Sequence, residues 1–206
     1  MNFEYNIPET HKVAFNTICK AATTINQPVY VVGGYVRDYY LDRLKETAPD
    51  IDFVTVGSGI KLAEEVHRLI ENSHLSVFKQ FGTAQVKIGD LELEFVGARK
   101  ESYRKDSRKP LVEDGSVEDD QLRRDLTINA MSWSLNEGNF GTLIDPFNGV
   151  EDMKNKVIRT PIDPLQTFSD DPLRMMRAIR FATQLNFEIE ESTFKAICEM
   201  APRLDI

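Results

Sequence analysis

The sequence predicts an α+β fold, a small mixed sheet flanked by helices, followed by the start of an all-α region. Three observations point there. Pro28–Gly34 (PVYVVGG) and Asp50–Val56 (DIDFVTV) are short, β-branched runs, each leading through glycine into a helical pattern. Val77–Ile88 and Leu91–Ala98 are further β segments, antiparallel because only the short Gly89-Asp90 turn joins them. From about Asp163 onward the pattern becomes helical.

The elements follow in order. A first helix covers about Glu9–Ile25, with Ala14, Ile18, Ala21, Ala22 and Ile25 on one face. Tyr35–Leu44 reads as a short helix after the first strand. Lys61–Ile70 reads as an amphipathic helix after the Gly-Ser-Gly turn that ends the second. Lys100–Asp120 is polar and without period, and reads as a long functional loop. Arg123–Leu135 (RRDLTINAMSWSL) reads as a helix and Thr142–Gly149 as a strand and turn. Asp170–Leu185 and Glu190–Ala201 complete the helical portion. The expected division is a first domain over residues 1–160 and the start of a helical one over 161–206. The final PRLDI has no recognisable ending, so the chain reads as a piece of a longer protein.

Composition narrows the classes. With 206 residues, 41% hydrophobic and 28% charged, the chain is an ordinary globular length of sequence. It has neither a run of about 20 apolar residues nor a signal-peptide pattern at its start, which predicts a cytoplasmic protein without a membrane span. Cys19 and Cys198 are far apart and read as reduced core thiols; His11, His67 and His74 lack metal-ligand spacing. The net charge of −8 argues against a large nucleic-acid footprint. Basic islands nevertheless occur at Arg99, Lys100, Arg104, Lys105, Arg108 and Lys109, at Arg123 and Arg124, and at Arg174, Arg177 and Arg180. That balance suits an enzyme acting on charged small molecules, and equally a fragment whose basic partner surface lies elsewhere.

The chemistry starts at Asp50 and Asp52. Aspartate is depleted in strands, yet two head this β-branched run. Residues i and i+2 share a strand face, so the carboxylates stand side by side and repel unless cations lie between them. Paired divalent ions bridged in this way serve in-line phosphoryl or nucleotidyl displacement. Mg²⁺ suits the role because it prefers a few carboxylates plus substrate phosphates to a full protein cage. The alternative is two acids facing water at a strand start.

Neighbouring features strengthen the cation reading. Gly33 and Gly34 lie between a strand and a helix, with Arg37 one turn in, where backbone N–H groups and a guanidinium can receive a triphosphate. Glu92 and Glu94 lie on a later strand; one can be a third carboxylate, and Glu92 reads better as an exposed polar position. Arg124, Asp125 and Asn129 fall close together on the expected helix, able to meet a ribose and phosphates.

Ser169–Phe181 (SDDPLRMMRAIRF) is explained in part as helix chemistry. Ser169 can N-cap, the acids complement the dipole, Pro172 is tolerated in the first turn, and Met175, Ile179 and Ala182 face the core. Asp171 and Arg174 are i, i+3 neighbours, an acceptor beside a donor. Cytosine and adenine offer the complementary order, an amino donor beside a ring-nitrogen acceptor, whereas uracil and guanine offer the reverse. The pair can thus select C and A without a template.

Taken together, these residues resemble the class II tRNA nucleotidyltransferases and bacterial poly(A) polymerases of the polymerase-β superfamily. VVGGYVRD with DIDFVTV resembles the family's metal-binding motif, and RRDLTINA its ribose-binding motif. LIDPFNGVEDMKNKVIRT resembles the head-to-neck element, and SDDPLRMMRAIRFATQL the neck helix that reads the base. The likeness runs from about Tyr30 to Phe187.

The resemblance implies a nucleotidyltransferase head with the start of a neck. Asp50 and Asp52 would hold two Mg²⁺ ions, with Glu94 as a further carboxylate. Gly33, Gly34 and Arg37 would meet the triphosphate, Arg124, Asp125 and Asn129 the nucleotide, and Asp171, Arg174 and Arg177 the base and phosphates. The implied reaction adds CMP or AMP from CTP or ATP to the 3′ end of tRNA, the tRNA being held mostly by domains absent here. Poly(A) addition and a non-catalytic nucleotide-binding module are the alternatives, and the tRNA activity can itself be split between CC- and A-adding enzymes. Lys100–Asp120 resembles the flexible loop linked to A addition. Asp170 stands where the family usually has Glu, one methylene longer.

Overall fold

The computed structural model describes residues 6–44, 50–104 and 107–205, with side chains except those of 102–111. In chain order the elements are α1 (Glu9–Thr24), β1 (Val29–Val32), α2 (Gly34–Tyr40), β2 (Asp50–Thr55), α3 (Gly59–Leu69), β3 (His74–Phe78), β4 (Thr83–Ile88) and β5 (Leu91–Gly97). They continue with β6 (Arg99–Arg104), β7 (Ser107–Asp114), α4 (Val117–Leu122), β8 (Ser132–Ser134), β9 (Leu143–Ile144), α5 (Gly149–Lys154) and β10 (Val157–Ile158). The last are α6 (Pro164–Asp170), α7 (Leu173–Leu185), β11 (Glu188–Ile189) and α8 (Glu191–Met200).

Seven strands form a mixed sheet in the order β3-β4-β5-β2-β1-β8-β9. Only the β2–β5 pair is parallel; the other ladders of this sheet are antiparallel. Period-2 alternation sorts β2 and its neighbour cleanly. Ile51 and Phe53, with Leu93 and Phe95 beside them, are fully buried in the core formed with Phe15 and Ile18 of α1 and Leu62 and Val66 of α3. Asp50, Asp52 and Glu94 point to the opposite face and are exposed. Burying a Phe or Leu side chain stabilises by roughly 1.5–3 kcal/mol, so a one-residue slip of β2 is strongly disfavoured. The hydrophobic side of the strand thereby fixes where its carboxylates stand. Trp133 of β8 is fully buried against Tyr39, ring centroids 4.9 Å apart, and joins α2 to the sheet.

Several local expectations are corrected. Arg123–Leu135 is not a helix: α4 ends at Leu122, Thr127–Asn129 is one turn of 3₁₀ helix, and Ser132–Ser134 is a strand. The Asp125 side chain takes the Leu126 N–H at 2.9 Å, and Thr127 N–H donates to Arg159 across the fold. Those bonds replace the helical ladder, and the alternation Met131-Trp133-Leu135 is a strand signal. The Asp170–Leu185 helix is broken, because Asp171 before Pro172 is extended (φ −141°, ψ 104°). Ser169 therefore lies in the last turn of α6, and Asp163 caps that helix by accepting the Gln166 N–H.

The buried stripe of α7 is Met175, Ala178, Phe181 and Leu185, whereas Ile179 is 42% exposed and Ala182 half-buried. Val77–Ile88 is two strands, separated by a 3₁₀ turn over Lys79–Phe81 and by Gly82 in the left-handed region (φ 65°).

The expected loop at Lys100–Asp120 contains the antiparallel β6–β7 hairpin and the capped start of α4. Charged cross-strand partners such as Lys100 and Glu113 give it no apolar alternation to read. Lys105 and the side chains of Arg104, Arg108 and Lys109 lie outside the described residues. Cys198 is exposed; of the two thiols only Cys19 lies in the core. Among the described residues, no helix is long and apolar enough to cross a membrane.

The short parallel pair β10–β11 joins the segment before α6 to the one after α7. Glu190 then caps α8, its Oε2 accepting from Ser192 Oγ at 2.6 Å and from Thr193 N–H at 2.9 Å. Partial burial opposes ionisation here, but hydrogen bonds from Ser192 and Thr193 outweigh it and hold the carboxyl at about 2. A depressed carboxyl pKa stabilises fully above the unfolded value of roughly 4.3 and ceases to do so as pH falls toward the folded value. Glu190→Gln is thus expected to lower the melting temperature at pH 7, and the deficit should shrink steadily between pH 4 and 2 in circular dichroism melts.

Candidate nucleotide and metal site

The parallel register sets Asp50 beside Glu92 and Asp52 beside Glu94. Glu92 is occupied by Lys87 Nζ at 2.8 Å and Gln85 Nε2 at 2.9 Å, which makes it part of a polar surface. Among the described residues, no such cation is bonded to Glu94. Burial, then Asp52 and Asp50, push its pKa upward. Asp52 is also raised, although its side chain reaches solvent: loss of hydration against the cleft wall is the largest cause, Arg124 opposes it, and Asp50 adds to it. Asp50, Asp52 and Glu94 thus crowd the open face of β2 and β5, and Arg124, itself paired with Asp120, opposes the upward shift at Asp52 without cancelling it.

This donor set fits a hard divalent cation, all-oxygen and anionic, with Asp50 and Asp52 on one strand face. Among the described residues no three His, Cys, Asp or Glu side chains converge as a ready cage. A site that leaves coordination positions to substrate phosphates and water is the arrangement Mg²⁺ favours.

Beside Asp52 opens a cleft of about 420 Å³ to which three parts of the chain contribute. From the β1–α2 junction come Gly33, Gly34 and Arg37; from the segment after α4, Arg123, Arg124, Asp125 and Asn129; from α7 and the residues before it, Asp171, Arg174, Arg177 and Phe181. Gly33 has φ +69°, and a Cβ there would stand 2.9 Å from Arg124 Nη1. Its N–H donates to the Met131 carbonyl at 3.1 Å, so this amide belongs to the fold and is not a spare donor for an anion.

The basic side chains are held by a network of acceptors. Arg37 donates through Nε to Asp38 and through Nη1 to the Asn129 side chain, both at 2.8 Å. Arg124 donates through Nη2 to Asp120 at 2.9 Å and through Nη1 to the Asn129 carbonyl at 3.2 Å. Asp125 accepts from Asn129 Nδ2 at 3.1 Å and from Arg177 Nε at 2.5 Å. Arg124, Asp125 and Asn129 thus meet through a turn and a 3₁₀ segment instead of a helix.

Arg174 is 7% exposed, its Nη2 lies 4.0 Å from the Glu101 carboxylate, and its N–H donates to the Asp171 carbonyl at 3.0 Å. Asp171 accepts the Leu173 N–H on its carboxylate at 3.1 Å. Asp170 accepts Gln166 Nε2 at 2.6 Å; burial, the largest influence, raises its pKa.

Three contributors were not singled out from sequence. Asp120, buried, binds both Arg123 and Arg124. Its i+3 and i+4 spacing to them was available as a signal. Glu101 sits between Arg99 (2.8 Å), Arg123 (3.4 Å) and Arg174 (4.0 Å); the last two are remote in sequence, and no local pattern reveals them. Phe181 lines the cleft although it lies in the buried stripe of α7, and no local pattern separates it from core.

Comparison with known proteins agrees with the fold. Residues 29–159 match the Poly A polymerase head domain family. The chain is 46% identical over 168 residues to the A-adding tRNA nucleotidyltransferase of Aquifex aeolicus, covering 82% of this chain and 20% of that protein. It is 41% identical over 170 residues to the CCA-adding enzyme of Lactobacillus helveticus, covering 82% and 40%. A solved tRNA nucleotidyltransferase, complexed with a primer tRNA and an incoming ATP analog, superposes with a TM-score of 0.77 at 41% identity, over 90% of this chain and 50% of that one.

The mixed sheet and its flanking helices are those of a nucleotidyltransferase-type head. The chain belongs to the poly(A) polymerase head domain family, the head that class II tRNA nucleotidyltransferases share. It spans between a fifth and a half of the length of these relatives.

Proposed function

We propose that this chain is the head and beginning of the neck of a template-independent nucleotidyltransferase, which transfers CMP or AMP from CTP or ATP to the 3′-hydroxyl of tRNA and releases pyrophosphate. The observation that carries the reading is Asp50 and Asp52 exposed on one strand face, with Asp52 forming a wall of the arginine-lined cleft. Residues 1–160 form the head in this reading, and 161–206 open the neck.

Asp50 and Asp52 hold Mg²⁺, with Glu94 adjacent; when bound, the metal neutralises the triphosphate and favours ionisation of the attacking hydroxyl. Arg37, Arg124 and Arg177 converge on the cleft as donors for the phosphates. Asp125 and Asn129, braced by one another, face the ribose. Asp171 accepts from the exocyclic amine of C or A, and Arg174 donates to the ring nitrogen beside it. Three neighbouring carboxylates would be a costly arrangement for a module that only binds, which favours catalysis over that alternative.

Isothermal titration with CTP, ATP, UTP and GTP, with and without Mg²⁺, tests the reading. Mg²⁺-dependent binding of CTP and ATP, weakened by Asp52→Ala, is expected; metal-independent binding indifferent to that substitution overturns it. Incorporation into tRNA lacking none, one, two or three 3′ nucleotides then separates CCA, CC, A and poly(A) addition. At Gly33, alanine would force a β-carbon onto a positive φ and against Arg124. Gly33→Ala is expected to cost about 1–2 kcal/mol of stability and to weaken CTP binding about tenfold, read by thermal melts and titration.

A further inference from the structure

Phe181 occupies an unusual place for a residue of the buried stripe of α7. It is 8% exposed, yet it lines the cleft. Three guanidinium carbons surround its ring: Arg180 at 4.8 Å from the centroid, Arg37 at 5.0 Å and Arg177 at 5.7 Å. Arg37 comes from α2, on the far side of the cleft in sequence, whereas Arg177 and Arg180 share α7 with the ring. Guanidinium groups gathered this closely repel one another. An aromatic ring offsets that through the negative potential of its faces, and the effect grows where water is excluded. Arg37 also donates to Asp38, and Arg177 to Asp125. Each of these two cleft arginines thus has a carboxylate partner and shares the same ring.

We infer that Phe181 is a positioning residue for polyphosphate: its ring fixes Arg37 of the head against Arg177 of the neck helix at the separation at which both can grip one triphosphate. The inference rests on the proposed nucleotide reading of this cleft and adds a role to a side chain that core packing alone would explain. The two accounts part at leucine. Phe181→Leu keeps an apolar, buried side chain and removes the ring's quadrupole, whereas Phe181→Tyr keeps the ring.

The test uses the intact chain, with inorganic tripolyphosphate titrated without metal and CTP and ATP titrated with Mg²⁺. Phe181→Leu is expected to weaken tripolyphosphate and both nucleotides alike, by about 5- to 30-fold, with the preference for CTP over UTP unchanged. Phe181→Tyr is expected to restore binding to within about twofold of wild type. In transfer assays the loss should fall on KM for the nucleotide far more than on kcat.

A double-mutant cycle guards against a general packing effect: in the background of Arg37→Ala, Phe181→Leu should cost less than about twofold. Wild-type-like tripolyphosphate binding by Phe181→Leu, or a loss that is the same with and without Arg37, overturns the inference while leaving the nucleotide reading in place. Failure of the wild-type chain to bind any polyphosphate or nucleotide overturns both.

Discussion

Replacing Asp52 by asparagine is expected to reduce nucleotide transfer by about three orders of magnitude or more while leaving the melting temperature unchanged or raised. The transfer loss follows from the carboxylate a cation would need, and the stability change chiefly from the desolvation of that same carboxylate. Asp52 stands next to Asp50 on its own strand and beside Glu94 on the parallel neighbour, with Arg124 the cation that offsets it. Its pKa is raised in the folded chain, so the fold favours its protonated form. Folding energy from such a group is fully present below the unfolded pKa and is lost as pH rises through the folded one. At neutral pH the ionised Asp52 therefore weighs against the fold, and a neutral isostere relieves that burden. The charge retained against the interest of stability is the one a divalent cation needs. Single-turnover transfer and thermal melts on the same preparation check the prediction. A variant that melts cooperatively and transfers at near wild-type rate would sink the assignment of Asp52.

Arg174→Ala is expected to collapse discrimination of CTP over UTP, from a ratio on the order of 10³ or more to within about tenfold. Arg174 is the sole base-reading donor in this account, and its guanidinium is almost fully enclosed, close to Glu101. An enclosed donor rejects the wrong base because mispairing leaves buried polar groups unsatisfied, whereas truncation leaves a space that accepts any pyrimidine. The variant should retain tripolyphosphate binding, since Arg37, Arg124 and Arg177 lie on other supports. Competition titrations with the four nucleoside triphosphates measure the effect. Unaltered selectivity would mean that the base is read by another group.

The broad architecture was legible because it rests on local periodicity. Ile51 and Phe53 had to share one face of β2 and Asp50 and Asp52 the other, whatever packed against them. The Gly89-Asp90 turn announced the β4–β5 hairpin, and the amphipathic pattern after Gly59 announced α3. Errors arose where local and long-range signals competed. Arg123–Leu135 satisfies helix propensity well enough, but Trp133 is drawn into the sheet between β1 and β9, and its alternating neighbours follow it. At Asp171 the restriction that proline imposes on its predecessor overrode a continuous helical pattern. The β6–β7 hairpin has charged residues where a strand signal needs apolar ones, so only backbone pairing reveals it.

By itself the sequence determined the faces: which carboxylates stand together on a strand and which glycine pair precedes a helix. These relations span at most a few residues, and backbone geometry alone enforces them. Only the tertiary structure decided the encounters. Asp52 meets Glu94 because β2 and β5 pair in parallel across 42 positions of intervening numbering, and Asp125 meets Arg177 across 52. Glu101 approaches Arg174, and Phe181 gathers arginines from α2 and α7, for the same reason. Such contacts are set by how buried surfaces pack, and packing depends on the whole chain at once rather than on any window of it.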